Sequence, residues 1–207
     1  LNYPAPQSAP CELYFNDYYK GIYFLVERPD RKSAGVPKGG ALYRILAASA
    51  DDIDLLSMEA PDAPTGETWY NIGKVWPEED SGWQPLMSML NAQDRAEMFN
   101  LAAFADYYLF INLIGASDNM SKNLYLCWDG AHFSPMPWDL DAAFGRLYNA
   151  SPSSNDAWYS NSLFDELLER EDFQKQLRSR WLVLRETLSP AAIDSSFDSL
   201  NDFLAAS

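Results

Sequence analysis

The period of the apolar positions changes along the chain, and each change marks an element. Residues 11–28, CELYFNDYYKGIYFLVER, hold two runs of aromatic and branched side chains, CELYF and GIYFLVE, separated by Asn16-Asp17-Tyr18-Tyr19-Lys20. Such runs read as strands, and the polar, glycine-closed break between them makes a hairpin. Over residues 28–40, Pro29, Gly35, Pro37, Gly39 and Gly40 break any regular period, which predicts a loop. ALYRIL resumes as a strand. Between Ser49 and Gly82 the sequence turns acidic and proline-rich, with short strands placed around 53–56 and 69–74. That stretch is read as an insertion or peripheral arm.

Helical spacing begins near Pro85, in a short helix that ends at Asn91. Beyond it Met98, Leu101, Phe104, Ala105, Tyr108, Ile111 and Leu113 recur at helical spacing up to a stop at Gly115. The pattern is apolar nearly all round towards its end, which marks a buried central helix. After Gly145 comes a Ser/Asn-rich loop to about Ser160. SLFDELLERE, DFQKQLRSRWLVLRETL and PAAIDSSFDSLNDFLAA then predict three amphipathic helices, the last opened by Pro190. The fold class is α+β, and no internal repeat is visible.

Composition narrows the function. A chain of 207 residues suits one large domain or one and a half. Its formal charge of −15 repels nucleic acid and anionic membrane, so neither is an expected partner. No apolar run is long enough to span a bilayer. LNYPAPQSAP lacks the basic-then-apolar pattern of a secretory signal, so a signal was removed or never present. Cys11 and Cys127 are read as free, half-buried thiols. His132, the single histidine, leaves zinc and a Ser-His-Asp triad without their ligands or base.

Residues 117–145, SDNMSKNLYLCWDGAHFSPMPWDLDAAFG, carry the candidate chemistry. Asp118 and Asn123 stand five apart ahead of a strand-like run, LYLCW; Asp129-Gly130 supplies a turn, and AHFSPM returns towards Pro137-Trp138-Asp139-Leu140-Asp141. Folding back brings Asp118, Asn123, Asp139 and Asp141 to one edge, three carboxylates and an amide suited to a hard divalent cation and a phosphate. Protein kinases use the same order of parts: a catalytic Asp, an Asn that holds Mg²⁺, a hairpin, and a metal-holding Asp. The His-Arg before the first Asp is missing here, and Trp-Asp-Leu-Asp replaces Asp-Phe-Gly. Plainer readings stand beside these. Asp118 and Asn123 could satisfy backbone donors in a helix-stop loop, and Asp139 or Asp141 could cap a short helix from Leu140 or Ala142. The 28–40 loop reads as plain surface, and Glu27 as an exposed strand end.

SDNMSKNLYL followed by PMPWDLDAAFGR resembles the CotH kinase family, the spore-coat kinase-like proteins. LYFNDYYKGIYFLVER resembles the family's aromatic hairpin ending in Glu, GALYRI its Gly-x-Leu-Tyr-Lys element, and LFDELLEREDFQKQLRSRW its helical tail. The resemblance implies an atypical protein-kinase-like fold: one domain over residues 1–207, with a small β-rich part at 11–84 and a mainly helical part at 85–207 that carries the 117–145 site. It implies ATP- and Mg²⁺- or Mn²⁺-dependent phosphoryl transfer to Ser or Thr of a protein substrate. Asp118 then matches the catalytic aspartate, Asn123 and Asp139 the metal ligands, and Asp141 a supporting ligand, with Glu27 and Arg44 on the nucleotide. Arg44 stands where the family has Lys, and the family's basic segment before the aromatic hairpin is not in this sequence. The alternative is a catalytically silent surface or adhesion module, with Ca²⁺ serving structure at the same carboxylates.

Overall fold

The computed structural model of the chain describes residues 6–46, 54–59, 64–147, 149, 151–152 and 158–206. The first hairpin pairs β1 (Ser8–Phe15) with β2 (Tyr18–Val26). Its turn is tighter than the polar stretch implied: Asn16 and Asp17 alone make it, at φ 49° and 63°. Both residues tolerate positive φ, and a two-residue turn of this kind matches the strand twist. Tyr18, Tyr19 and Lys20 therefore belong to β2, and Gly21 marks a register shift opposite Leu13, not the close of the turn. Two strands cannot bury a face of their own, and Tyr14, Phe15, Tyr18, Phe24 and Leu25 are exposed.

A second, five-stranded antiparallel sheet runs in the order β4-β5-β3-β6-β7. Its strands are β3 (Ala41–Ile45), β4 (Thr68–Trp69), β5 (Ile72–Trp76), β6 (Leu124–Trp128) and β7 (Phe133–Pro137). The 49–82 stretch is thus no peripheral arm, because β5 pairs directly with β3 and Ile72 is wholly buried. The strand expected around 69–74 is present, split by a turn at Tyr70-Asn71 into β4 and β5, and β5 carries Lys74. Its ammonium leaves solvent by donating to the carbonyls of Pro77 at 3.0 Å and Glu79 at 2.9 Å, and to that of Glu78. Residues 55–57 form a turn where a short strand was expected, and Ile53 lies outside the described residues.

Strand alternation gives the sheet two faces. Ala41, Tyr43, Ile45, Leu126 and Phe133 face the main core with the helices. Leu42, Tyr125 and Met136 face away and are covered by Ala34 and Val36, so the 28–40 loop is a lid on the sheet. It closes at Gly40, where a Cβ would stand 2.2 Å from the Trp128 carbonyl oxygen. Only glycine fits there.

The described residues form five α-helices, α1 (Gln84–Leu90), α2 (Leu101–Ile114), α3 (Ser162–Glu169), α4 (Glu171–Thr187) and α5 (Pro190–Ala206). The long helical period after Asn91 is divided. Asp94 caps a 3-10 turn, Arg95–Met98; Phe99 is extended; and Asn100 starts α2 by accepting from the Ala103 N–H at 3.2 Å. Gly115 ends α2 at φ 68°, as the sequence predicts. The helix is apolar nearly all round because β7 and α4 both pack on it. Its buried exception, Asp106, accepts two bonds from Arg180 of α4 at 2.6 and 2.7 Å. No described helix is long and apolar enough to cross a membrane.

On α3, burial and the neighbouring Asp54 carboxylate raise the pKa of Glu166. A raised acid favours the fold fully only below the ordinary Glu value of about 4.3, and that contribution fades as pH rises through the folded value. Glu166→Gln is therefore expected to raise the melting temperature at pH 7 and to flatten its decline above pH 4.5. A melting series across that range checks it; an unchanged slope would mean the two carboxyls do not interact.

Candidate functional site

The site grows from the end of α2. Past Gly115 the chain enters a 3-10 turn, Ser117–Met120, that carries Asp118. Asp118 is half-buried, and its carboxylate pairs with the Lys122 ammonium at 2.9 Å. Asn119, beside it, is 1 % exposed and acts as a clasp. Its Nδ2 donates to the carbonyls of Asn123 and Trp138, both at 2.8 Å, while the Tyr107 hydroxyl donates to the Asn119 backbone carbonyl at 2.5 Å. The Trp138 N–H also donates to the Asn123 carbonyl at 2.8 Å. One amide therefore ties the start of β6 and the end of β7 to the foot of α2.

This clasp fixes Asn123 and Asp139. The two residues sit at φ 56° and 55°, a region that non-glycine residues rarely enter and that Asn and Asp tolerate best. The Asn123 Nδ2 lies 3.4 Å from the Asp139 carbonyl, a long hydrogen bond. The β6–β7 hairpin thus delivers its two ends to one edge, and the register Leu124↔Pro137 leaves Asn123 and Asp139 just outside the ladder. No helix begins at Leu140 or Ala142, so neither Asp139 nor Asp141 caps one.

A cavity of about 730 Å³ opens beside this edge. Phe24 and Val26 of β2 form one wall and Tyr107 and Phe110 of α2 another, with Trp138, Asp139, Leu140 and Asp141 along a third. Its size is that of a small-ligand site, and its lining is mostly apolar with a few polar groups, Ser8, Asp106, Asp139 and Asp141. Among the described residues, no three His, Cys, Asp or Glu side chains gather closely enough to hold an ion by themselves. The structure brings Asn123 to Asp139, and Asp139 and Asp141 to one cavity, but it builds no three-carboxylate cage.

The arrangement and the order of its parts agree with a match over the whole sequence, since the family model described as CotH kinase protein covers residues 1–207. The chain belongs to the CotH kinase family. No curated protein matches it.

The remaining residues implied by the CotH resemblance lie around this edge to different degrees. Glu27 directly follows Val26, a cavity wall; it is exposed, and its carboxylate accepts from the Gln7 N–H at 3.3 Å. Arg44 is exposed on β3, opposite Tyr125 and two strands in from the β7 edge. It lies on the lid face of the sheet, whereas the cavity walls Pro135 and Pro137 belong to the other. Burial pushes the Tyr125 hydroxyl up, and the nearby charges of Arg44 and Arg28 pull it back. Both thiols are free, and burial pushes Cys127 up to about 12, which leaves it inert at neutral pH. His132 is exposed.

Sequence reasoning passed over Asn119 and Lys122, although both lie inside the quoted stretch. A polar residue wedged between two predicted elements was the available signal for Asn119. Asn119→Ala frees two backbone carbonyls inside the fold and is expected to cost about 2–4 kcal/mol. Urea unfolding checks the figure, and a loss under 1 kcal/mol would mean the clasp is dispensable.

Proposed function

We propose that this CotH family member transfers the terminal phosphoryl group of ATP to a Ser or Thr hydroxyl of a protein, with Mg²⁺ or Mn²⁺ as the bound cation. The supporting observation is the cavity of about 730 Å³: its apolar walls, Phe24, Val26 and Phe110, suit a purine, and its Asp139 and Asp141 end suits the cation that accompanies phosphates. Asn123 and Asp139 offer hard oxygen donors, and so few of them fit an ion that keeps water and phosphate oxygens among its ligands. When bound, that ion neutralises charge on the phosphates.

Asp118 supplies the base. It accepts the acceptor hydroxyl's proton as the hydroxyl oxygen bonds to phosphorus; the phosphorus–oxygen bond to ADP breaks, and ADP leaves with the electron pair. Lys122 holds the Asp118 carboxylate in one orientation through its 2.9 Å ion pair. The Asn119 clasp keeps Asn123 and Asp139 at a fixed separation, which supports pre-organisation of the donors. The sheet, the hairpin and the helices that carry them would then form an atypical kinase-like fold.

A second reading is favoured by the same ion pair, because Asp118 is already engaged. In it the chain is a silent binding module, with Ca²⁺ or another cation held for structure. ATP with Mg²⁺ or Mn²⁺ is expected to stabilise the protein more than either component alone, by about 2.7 kcal/mol at a hundredfold excess over Kd. Equal melting temperatures with and without the pair at saturation would remove the nucleotide site. Asp118→Asn should then abolish transfer and leave nucleotide binding nearly unchanged, since it removes a base and not a ligand. Binding without transfer in the parent protein would decide for the silent module.

A further inference from the structure

The C-terminal helices leave two apolar faces without cover. On α4, Trp181, Leu182 and Val183 are 42, 62 and 46 % exposed, and on α5 Ile193 and Phe197 are 39 and 56 % exposed. Helix α4 meets the core through Phe173 and Leu184, which are buried, so Trp181, Leu182 and Val183 fan around its outer side, a surface separate from the core contact. Helix α5 packs substantially against no other element. An amphipathic helix of 17 residues is marginal alone, because most helical stability comes from packing an apolar face.

Charges beside the two stripes are complementary. On α4, Arg178 and Arg185 flank Trp181 at three residues before and four after, neighbours on one helix face. On α5 the charged residues are Asp194, Asp198 and Asp202, which recur every four residues and follow the apolar stripe, with no basic residue among them. None of these five has an ion-pair partner among the described residues. In a chain of net charge −15, two unpaired arginines beside an exposed tryptophan are a specific feature.

We propose that the apolar face of α5 docks on the Trp181 face of α4 in a second copy of the chain, forming a two-fold dimer. A two-fold interface must be self-complementary, and α4 with α5 supplies both halves: each copy offers one basic-flanked and one acidic-flanked stripe, so both contacts form at once. The link between α4 and α5 is only Leu188-Ser189 before the rigid Pro190, and short hinges of this kind favour exchange between copies over folding back. Exposed aromatic residues at the centre and charges at the edge are the usual anatomy of such an interface.

The test is sedimentation of the full chain in 0.15 M salt, where the Debye length is about 8 Å and repulsion between the two acidic bodies is screened. The parent is expected at twice its 23.4 kDa mass at micromolar concentration. Variant A, Arg178→Glu with Arg185→Glu, and variant B, Asp194→Lys with Asp198→Lys, should each be monomeric, since like charges then meet at both contacts. Mixing A with B should restore the dimer, because every facing pair is again opposite in sign. Circular dichroism should show all of them folded, as the substituted side chains are exposed. A monomeric parent, a dimer indifferent to the reversals, or a mixture of A and B that stays monomeric would each overturn the proposal.

Discussion

Replacing Asp139 with Asn is expected to weaken metal-dependent ATP binding by at least about a hundredfold, some 2.7 kcal/mol, while leaving the melting temperature almost unchanged. The choice of Asn follows from the backbone. Asp139 sits at φ 55°, where Asn is tolerated and Ala is not, so Asp139→Ala would add about 1–2 kcal/mol of strain unrelated to the metal. Removing one carboxylate near Asp141 also relieves repulsion in the metal-free protein. A capping role would have produced the reverse pair of results, loss of stability with intact ATP affinity, but no helix follows Asp139. Calorimetric titration of the variant beside the parent decides the matter; unchanged affinity would sink the metal site.

Arg180→Ala is expected to lower stability by about 3 kcal/mol, the low end for breaking a buried pair. The Asp106 side chain is 3 % exposed and would be left without its two short bonds, while that of Arg180 is 26 % exposed and loses less. For a chain of this size that amounts to a melting temperature lower by roughly 6–12 °C. The control is the double change Asp106→Leu with Arg180→Met, which replaces the pair with apolar volume and should recover most of the loss. If the double variant melts as low as the single one, packing between α2 and α4, not the stranded carboxylate, is what failed.

The sequence made α3, α4 and α5 legible through their repeating apolar positions and α2 through its stop at Gly115, although the break at Phe99 before α2 left no mark in the period. Gly115 and Pro190 are placed where the structure has them, and the β6–β7 hairpin is announced by Asp129-Gly130 between two strand-like runs. Strand β5 was expected in outline around 69–74, but its place beside β3 was hidden for a chemical reason: IGKVW carries a buried lysine, and only three carbonyls supplied by the following loop make that lysine tolerable. At the candidate site, residue order predicted that Asn123 and Asp139 would meet at one edge, as they do. Spacing could not reveal that Asn119 holds the carbonyls of Asn123 and Trp138, since a clasp between distant carbonyls leaves no periodic trace. Nor could it reveal that Arg44 lies on the far face of the sheet from the cavity walls, which depends on pairing with β6.

The sheet order also constrains how the molecule can be made on a ribosome. Strand β3 is central, yet one of its two neighbours, β6, is synthesised long after the other, because Ala41 must wait for Trp128. Until Trp128 is made, the edge of β3 that β6 will cover has no partner strand, and such an edge is open to any strand that passes. The acidic stretch between β3 and β5, within a chain of net charge −15, repels other growing chains during that interval. The charge that argues against nucleic acid as a ligand thus protects an unfinished sheet from its own copies.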